Sequence, residues 1–386
     1  MTEWPTTPVD MLARLVAFDT TSRDSNLALI RYVADFLGAL GVAVTLTHDD
    51  DGHKANLFAT LGSGTQGGIV LSGHTDVVPV DGQPWTSDPF ALTAKGSRLY
   101  GRGTCDMKGF LATALALAPE IVRRRPRVPV HLALSYDEEV GCIGVNRLIA
   151  QAVRSGVRPR AVIVGEPTDM KVVDAHKGIY AFRTTVTGRE AHSSLTHRGV
   201  NAILVAADLI GFLGRLADEM AGRAAPETGF DPPYTTVHVG TIKGGTALNI
   251  VPRRCAFAWE YRLMPGADEH EVIRRFEEHC AGLLPGLRAR AEEVAIETVA
   301  TNTVPGLDPE PGSAAETLAF ALAGSNRAFK VPYGTEAGLF QRAGMATIVC
   351  GPGSIDQAHK PDEFVERAQI DACEAFLRRL IDHVCA

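Results

Sequence analysis

Four short apolar runs constrain this chain more than any other feature: "NLFATLG" (56–62), "GGIVLSGH" (67–74), "VHLALSYD" (130–137) and "RAVIVGEP" (160–167). Each is too short for a core helix and is bounded by Gly, Pro or polar residues, so each reads as a strand. The helical stretches "MKGFLATALALAPEIVR" and "CIGVNRLIAQAVR" separate the last three. Uninterrupted apolar strands alternating with helices need cover on both faces, and the expected fold is a mostly parallel α/β sheet with helices on both sides. Two further helices are expected ahead of it, in "VDMLARLVAFDT" and "NLALIRYVADFLGALG", the second closing at Gly41.

The texture changes near residue 180. "YAFRTTVTG" and "RRCAFAWEYRLMP" alternate polar and apolar residues, as half-exposed antiparallel strands do. Between and after them lie the helical stretches "GVNAILVAADLIGFLGRLADEM" and "ADEHEVIRRFEEHCAGL". Strand, helix, two strands, helix, strand predicts a small α+β (ferredoxin-like) domain with one open face, inserted at 182–295. The α/β domain then comprises 1–181 and 296–386. An uncovered sheet face tends to pair with another, so a homodimer is expected.

Composition excludes several classes. With 38 Lys and Arg against 45 Asp and Glu the formal charge is −7, and "VRRRPR" is the nearest approach to a basic run. That balance argues against nucleic acid as a partner. "GFLATALALAPEIV" stops short of a membrane span. The seven Cys are scattered without a C-x-x-C pair, and "MTEWPTTPVDMLARL" lacks the order of a signal peptide. A cytoplasmic chain with reduced thiols is the expectation. "GSGTQGG" precedes a strand and has no Lys-Ser/Thr, so no phosphate loop is read there.

Ionisable residues gather just past the strand ends, where open α/β sheets bind ligands. "GHTDVVP" supplies His74 and Asp76, "YGRGTCDMKGF" Asp106, "SYDEEVG" Asp137, Glu138 and Glu139, "VGEPTD" Glu166, and "GPGSIDQAHKPDE" His359. So many carboxylates repel one another unless a cation joins them. A mixed His and carboxylate set suits zinc. More carboxylates than one tetrahedral ion can use point to two ions sharing an Asp.

In their order along the chain, "GHTDVVP", "YGRGTCDMKG", "DEEVG", "GEPT", "GREAHSS", "GGTALNIVP" and "GPGSIDQAHKPDE" resemble the di-zinc aminoacylase and carboxypeptidase G-like metallopeptidases, from about residue 10 to 385. The resemblance implies two zinc ions, with cobalt able to substitute. Asp106 would bridge them, His74 and Glu166 completing one ion, Glu139 and His359 the other. Asp76 would take the other N–H of the His74 ring, and Glu138 would be the general base. His192 of "GREAHSS" would reach a dimer partner's site to stabilise the oxyanion, with the inserted domain acting as a lid. Asn249 and Arg262 would hold a substrate α-carboxylate. Charge alone suggests that Glu336 attracts a cationic substrate end. A cis Asp106–Met107 bond is also implied. The expected reaction is hydrolysis of an N-acylated amino acid. "AHKG" and "GTEAG" favour N2-acetyl-L-ornithine over acetylcitrulline, succinyl-diaminopimelate or small peptides.

Overall fold

The computed structural model describes residues 4–386. The chain forms two compact units. The first runs up to Ala175 and takes in Leu307–Lys330 and Thr335–Ala386; the second comprises His176–Gly306 and Val331–Gly334. The insertion is therefore longer than the predicted 182–295. Its first strand, Gly178–Thr187, and its last, Ala295–Val304, pair along nearly their whole lengths and carry the boundary outward at both ends.

The first unit is built on an eight-stranded sheet. From one edge its first six strands are Val44–His48, Ala55–Leu61, Val130–Ser135, Ile69–His74, Ala161–Pro167 and Thr347–Gly351. The last four of these are mutually parallel; Ala55–Leu61 joins them antiparallel, and Val44–His48 pairs antiparallel with Ala55–Leu61. Alternation within each strand sends residues to opposite faces. Leu132, Leu71 and Ile163 enter one core with Phe110, Leu115 and Phe376, from the helices Lys108–Arg124 and Arg367–Cys385. The helices Ile143–Arg154 and Ala337–Arg342 belong to the other face. Every residue of three central strands is buried, which is why they read as unbroken apolar runs.

The second unit has a four-stranded antiparallel sheet in the order Thr236–Gly244, Arg254–Leu263, Gly178–Thr187, Ala295–Val304. Helices Ala202–Ala221 and Glu271–Arg288 supply Leu209, Leu213 and Phe276 to its core, against Val186, Phe257 and Trp259. The edge strand Thr236–Gly244 is largely exposed. All seven cysteines are free and six are buried. Among the described residues no helix is long and apolar enough to cross a membrane.

Two glycines set how closely a central strand approaches its neighbour and a covering helix at the end where the ionisable residues collect. A Cβ on Gly351 would lie 2.0 Å from the Gly165 carbonyl oxygen, and one on Gly165 would lie 2.0 Å from the Phe110 ring. The obstacle at Gly351 is backbone, so no rotamer change relieves it. Gly351→Ala is expected to destabilise the protein by about 3 kcal/mol, as overpacking does. The urea unfolding midpoint measures this, and an unshifted midpoint would refute the packing argument.

Candidate metal centre and active site

The parallel arrangement brings three strand ends and two loops to one rim of the first unit. His74 closes the Ile69–His74 strand and is fully buried. Its Nδ1 lies 2.9 Å from the Asp76 carbonyl oxygen. A carbonyl only accepts, so Nδ1 carries the proton. Nε2 then faces Asp106 Oδ1 at 3.0 Å and Glu166 Oε1 at 3.7 Å. On the other side, His359 Nε2 lies 3.3 Å from Asp106 Oδ2 and 2.9 Å from Glu139 Oε2. Asp106 thus stands between two imidazoles, one oxygen toward each. The Asp106–Met107 peptide is cis.

The Asp76 contact differs from the expectation. Its carbonyl, not its carboxylate, takes the imidazole proton, while Oδ1 is 3.6 Å from Nδ1. The carboxylate instead accepts the backbone N–H of Glu138 (3.1 Å) and of Glu139 (3.2 Å) and the Ser22 hydroxyl (2.8 Å). The side chain is fully engaged by Ser22 and by the turn that carries the two glutamates. Left-handed residues flank that turn, Asp137 at φ 56° and Cys142 at φ 53°. The Cys142 thiol donates to Glu138 Oε1 at 3.2 Å.

Glu336 also departs from its expected role. It is fully buried, one oxygen accepting from Ser72 Oγ at 2.6 Å and the other from Ser135 Oγ at 2.8 Å. Both serines belong to the strands that deliver His74 and the glutamate pair, so Glu336 braces the sheet under the site and does not present a carboxylate to a substrate.

His192, Asn249 and Arg262 belong to the second unit. There His192 pairs with Ile250 in a β-bridge, and the Ser193 N–H donates to the Asn249 carbonyl at 3.1 Å. Leu248 beside them is fully exposed. His192 Nδ1 and Ser194 Oγ share a 2.7 Å hydrogen bond. Arg262 donates from Nε and NH2 to the Glu260 carboxylate, at 3.1 and 3.2 Å. Sequence reasoning missed Arg102 and Glu363, which are 261 residues apart in the chain and meet at the Asp106 loop. The motifs containing them were visible, but nothing local marks the pair.

The electrostatics show what the rim needs. Burial, reinforced by Glu139 and Asp106, pushes the Glu138 carboxyl up to about 8. Burial and the Asp106 charge push Glu139 up to about 7, and burial raises Glu166 well above the carboxylate range. Hydrogen bonds to Asp106 and Glu139 lift His359 to about 10. Burial works against a charged His74, yet Asp106 and Glu166 raise it well above its ordinary value. Protons thus offset the repulsion among these groups. Glu139 Oε1 and Glu166 Oε1 are buried and lack any hydrogen-bond partner. Among the described residues, His74, Asp106 and Glu139 form one group, and His74, Glu138 and Glu166 another, whose donor atoms converge within 4.8 Å. Unpartnered carboxylate oxygens beside imidazole nitrogens fit divalent cations.

This fold and donor set define a metal-dependent amidohydrolase. Residues 70–383 match the family model described as "Peptidase family M20/M25/M40". The acetylornithine deacetylase of Proteus mirabilis is 36% identical over 96% of this chain and 93% of its own length. At the level of fold, a metallo-carboxypeptidase of the M20 family from Sulfolobus solfataricus superposes with a TM-score of 0.76 at 19% identity, covering 100% of both chains. A dinuclear metal-binding peptidase of that family from Bacillus subtilis gives 0.68 at 15%, covering 98% of this chain and 97% of the other. The chain belongs to the M20/M25/M40 peptidase family.

Metal must displace the protons held at this rim. Those groups deprotonate only as pH rises through their elevated values, so apparent metal affinity is expected to increase between pH 6 and 8, with net proton release. Calorimetric titration of metal-free protein with Co2+ in buffers of different ionisation enthalpy checks this. Affinity that is flat with pH, without proton release, would contradict it.

Proposed function

We propose that this protein is an acetylornithine deacetylase, hydrolysing N2-acetyl-L-ornithine to L-ornithine and acetate. The end-to-end similarity to a curated acetylornithine deacetylase carries the reading, together with the convergence of His74, Asp106, Glu139 and Glu166 and the approach of His359 to Asp106 and Glu139. His74 and Glu166 would hold one zinc ion and Glu139 and His359 a second, with Asp106 between them and cobalt able to replace zinc. Bound metal supplies Lewis-acid polarisation of the amide carbonyl and makes water nucleophilic at neutral pH.

Glu138 supplies the proton chemistry. A buried carboxyl that holds a proton up to about pH 8 without metal is a good base once neighbouring positive charge favours its ionised form. It accepts a proton from the attacking water and returns it to the departing amine nitrogen. Asp76 aims it through the backbone of the turn. In this reading the second unit is a lid and dimerisation domain. His192 donates to the oxyanion in the partner's site, and Asn249 and Arg262 receive the substrate α-carboxylate.

The first test compares amine release from N-acetylornithine, N-acetylcitrulline, N-acetylmethionine and N-succinyl-diaminopimelate. Acetylornithine is expected to lead by at least tenfold in kcat/KM, about 1.4 kcal/mol of transition-state binding. A different leading substrate would transfer the assignment to a related N-acyl-amino-acid deacylase, and release from short peptides alone to a carboxypeptidase. Glu138→Ala should lose about 10²-fold or more while retaining metal, the usual contribution of a positioned base.

Mixing separately inactive Glu138→Ala and His192→Ala proteins tests the trans arrangement. Random re-association leaves one intact site in each heterodimer, so about one quarter of wild-type activity should return. No recovery from heterodimers shown to have formed would place His192 in cis or outside the mechanism.

A further inference from the structure

The loops of Asp106 and His359 are joined by a buried ion pair, Arg102 with Glu363, that metal ligation does not account for. Glu363 is 1% exposed. Its Oε1 accepts the backbone N–H of Cys105 at 2.9 Å and of Asp106 at 3.1 Å. Its Oε2 accepts the N–H of Gly103 at 3.0 Å and Arg102 NH1 at 2.7 Å. Three backbone N–H groups of one tight loop point inward at a common centre, a concavity that requires an anion. All four partners donate, so both carboxylate oxygens serve as acceptors.

The cation of this pair continues the linkage. Arg102, also 1% exposed, donates from NH1 to the Lys360 carbonyl at 3.3 Å and from NH2 to Gln83 Oε1 at 2.6 Å. Gln83 Nε2 in turn donates to the His359 carbonyl at 3.1 Å. One side of the Arg102–Glu363 pair therefore shapes the backbone of Asp106, and the other side grips the backbone of His359. This second grip matters because the His359 side chain is 53% exposed and its backbone is left-handed, at φ 63°. Loop residues so placed do not hold a side chain against a charged neighbour without external support.

We infer that Glu363, acting with Arg102, is a positioning residue that sets the separation of the Asp106 and His359 donors. It thereby governs divalent-metal affinity without touching metal or substrate. The inference rests on the ligand reading above, but not on which acyl amino acid is hydrolysed. Supporting groups around a metal centre typically tune its affinity 10–100-fold.

Glu363→Gln keeps the size and replaces one acceptor oxygen by a donor facing donors. Its Co2+ affinity, measured by calorimetry and chelator competition, is expected to fall about 10–100-fold. The visible d–d spectrum of its Co2+-loaded form should shift from that of the wild type as the donor geometry relaxes. Arg102→Lys retains the charge but cannot reach both Gln83 and the Lys360 carbonyl, so a smaller change of the same sign is expected. Glu366→Gln, altering an exposed carboxylate paired with Arg98 and Ser97, should leave Co2+ binding unchanged. A folded Glu363→Gln protein with native affinity and native spectrum would overturn the proposal. If that variant is insoluble, native Co2+ binding by Arg102→Lys overturns it equally. No substrate enters these measurements, so their failure is distinct from failure of the acetylornithine assignment.

Discussion

Repulsion among buried carboxylates is the constraint to which the rest of this structure answers. Asp106, Glu138, Glu139 and Glu166 meet at one rim of a sheet whose interior offers them little solvation. Left to themselves they recover protons, and the elevated values of three of them record that tendency. Two imidazoles soften the repulsion, and divalent metal ends it. Strand direction, the glycine contacts and the buried hydrogen bonds serve to keep these charges where a cation can use them.

That is why the fold and the donors were legible from local sequence. A strand covered on both faces must be apolar throughout, so "GGIVLSGH" and "RAVIVGEP" stand out without any partner being known. Parallel pairing then sends their final residues to the same end. Ionisable residues placed there, at His74 and Glu166, follow from chain direction alone. In the second unit the alternation of "YAFRTTVTG" matched a sheet with one covered face, although its boundary moved outward because the strands Gly178–Thr187 and Ala295–Val304 run on past it.

What local sequence did not reveal depends on partners distant along the chain. Glu336 reads as a free charge in "GTEAG" until Ser72 and Ser135 arrive from two strands to occupy both its oxygens. Glu363 looks like a surface residue in "KPDE" until three amides and a guanidinium surround it. In both cases the residue type was compatible with either fate, and only burial decided between them. A charged residue after a strand announces that something polar happens there, but not whether it faces a ligand or supports the residue that does.

Asp76 has a consequence of a different kind. Its main chain sets the tautomer of His74, whereas its side chain sets the turn bearing Glu138 and Glu139. The first task is inherited by whichever amino acid occupies position 76, since every residue has a carbonyl. Only the second is exposed to selection through side-chain identity. Genetic variation at this position therefore reads out the side-chain bonds to Ser22 and the glutamate turn, and the histidine contact, however necessary, is carried by the main chain of position 76.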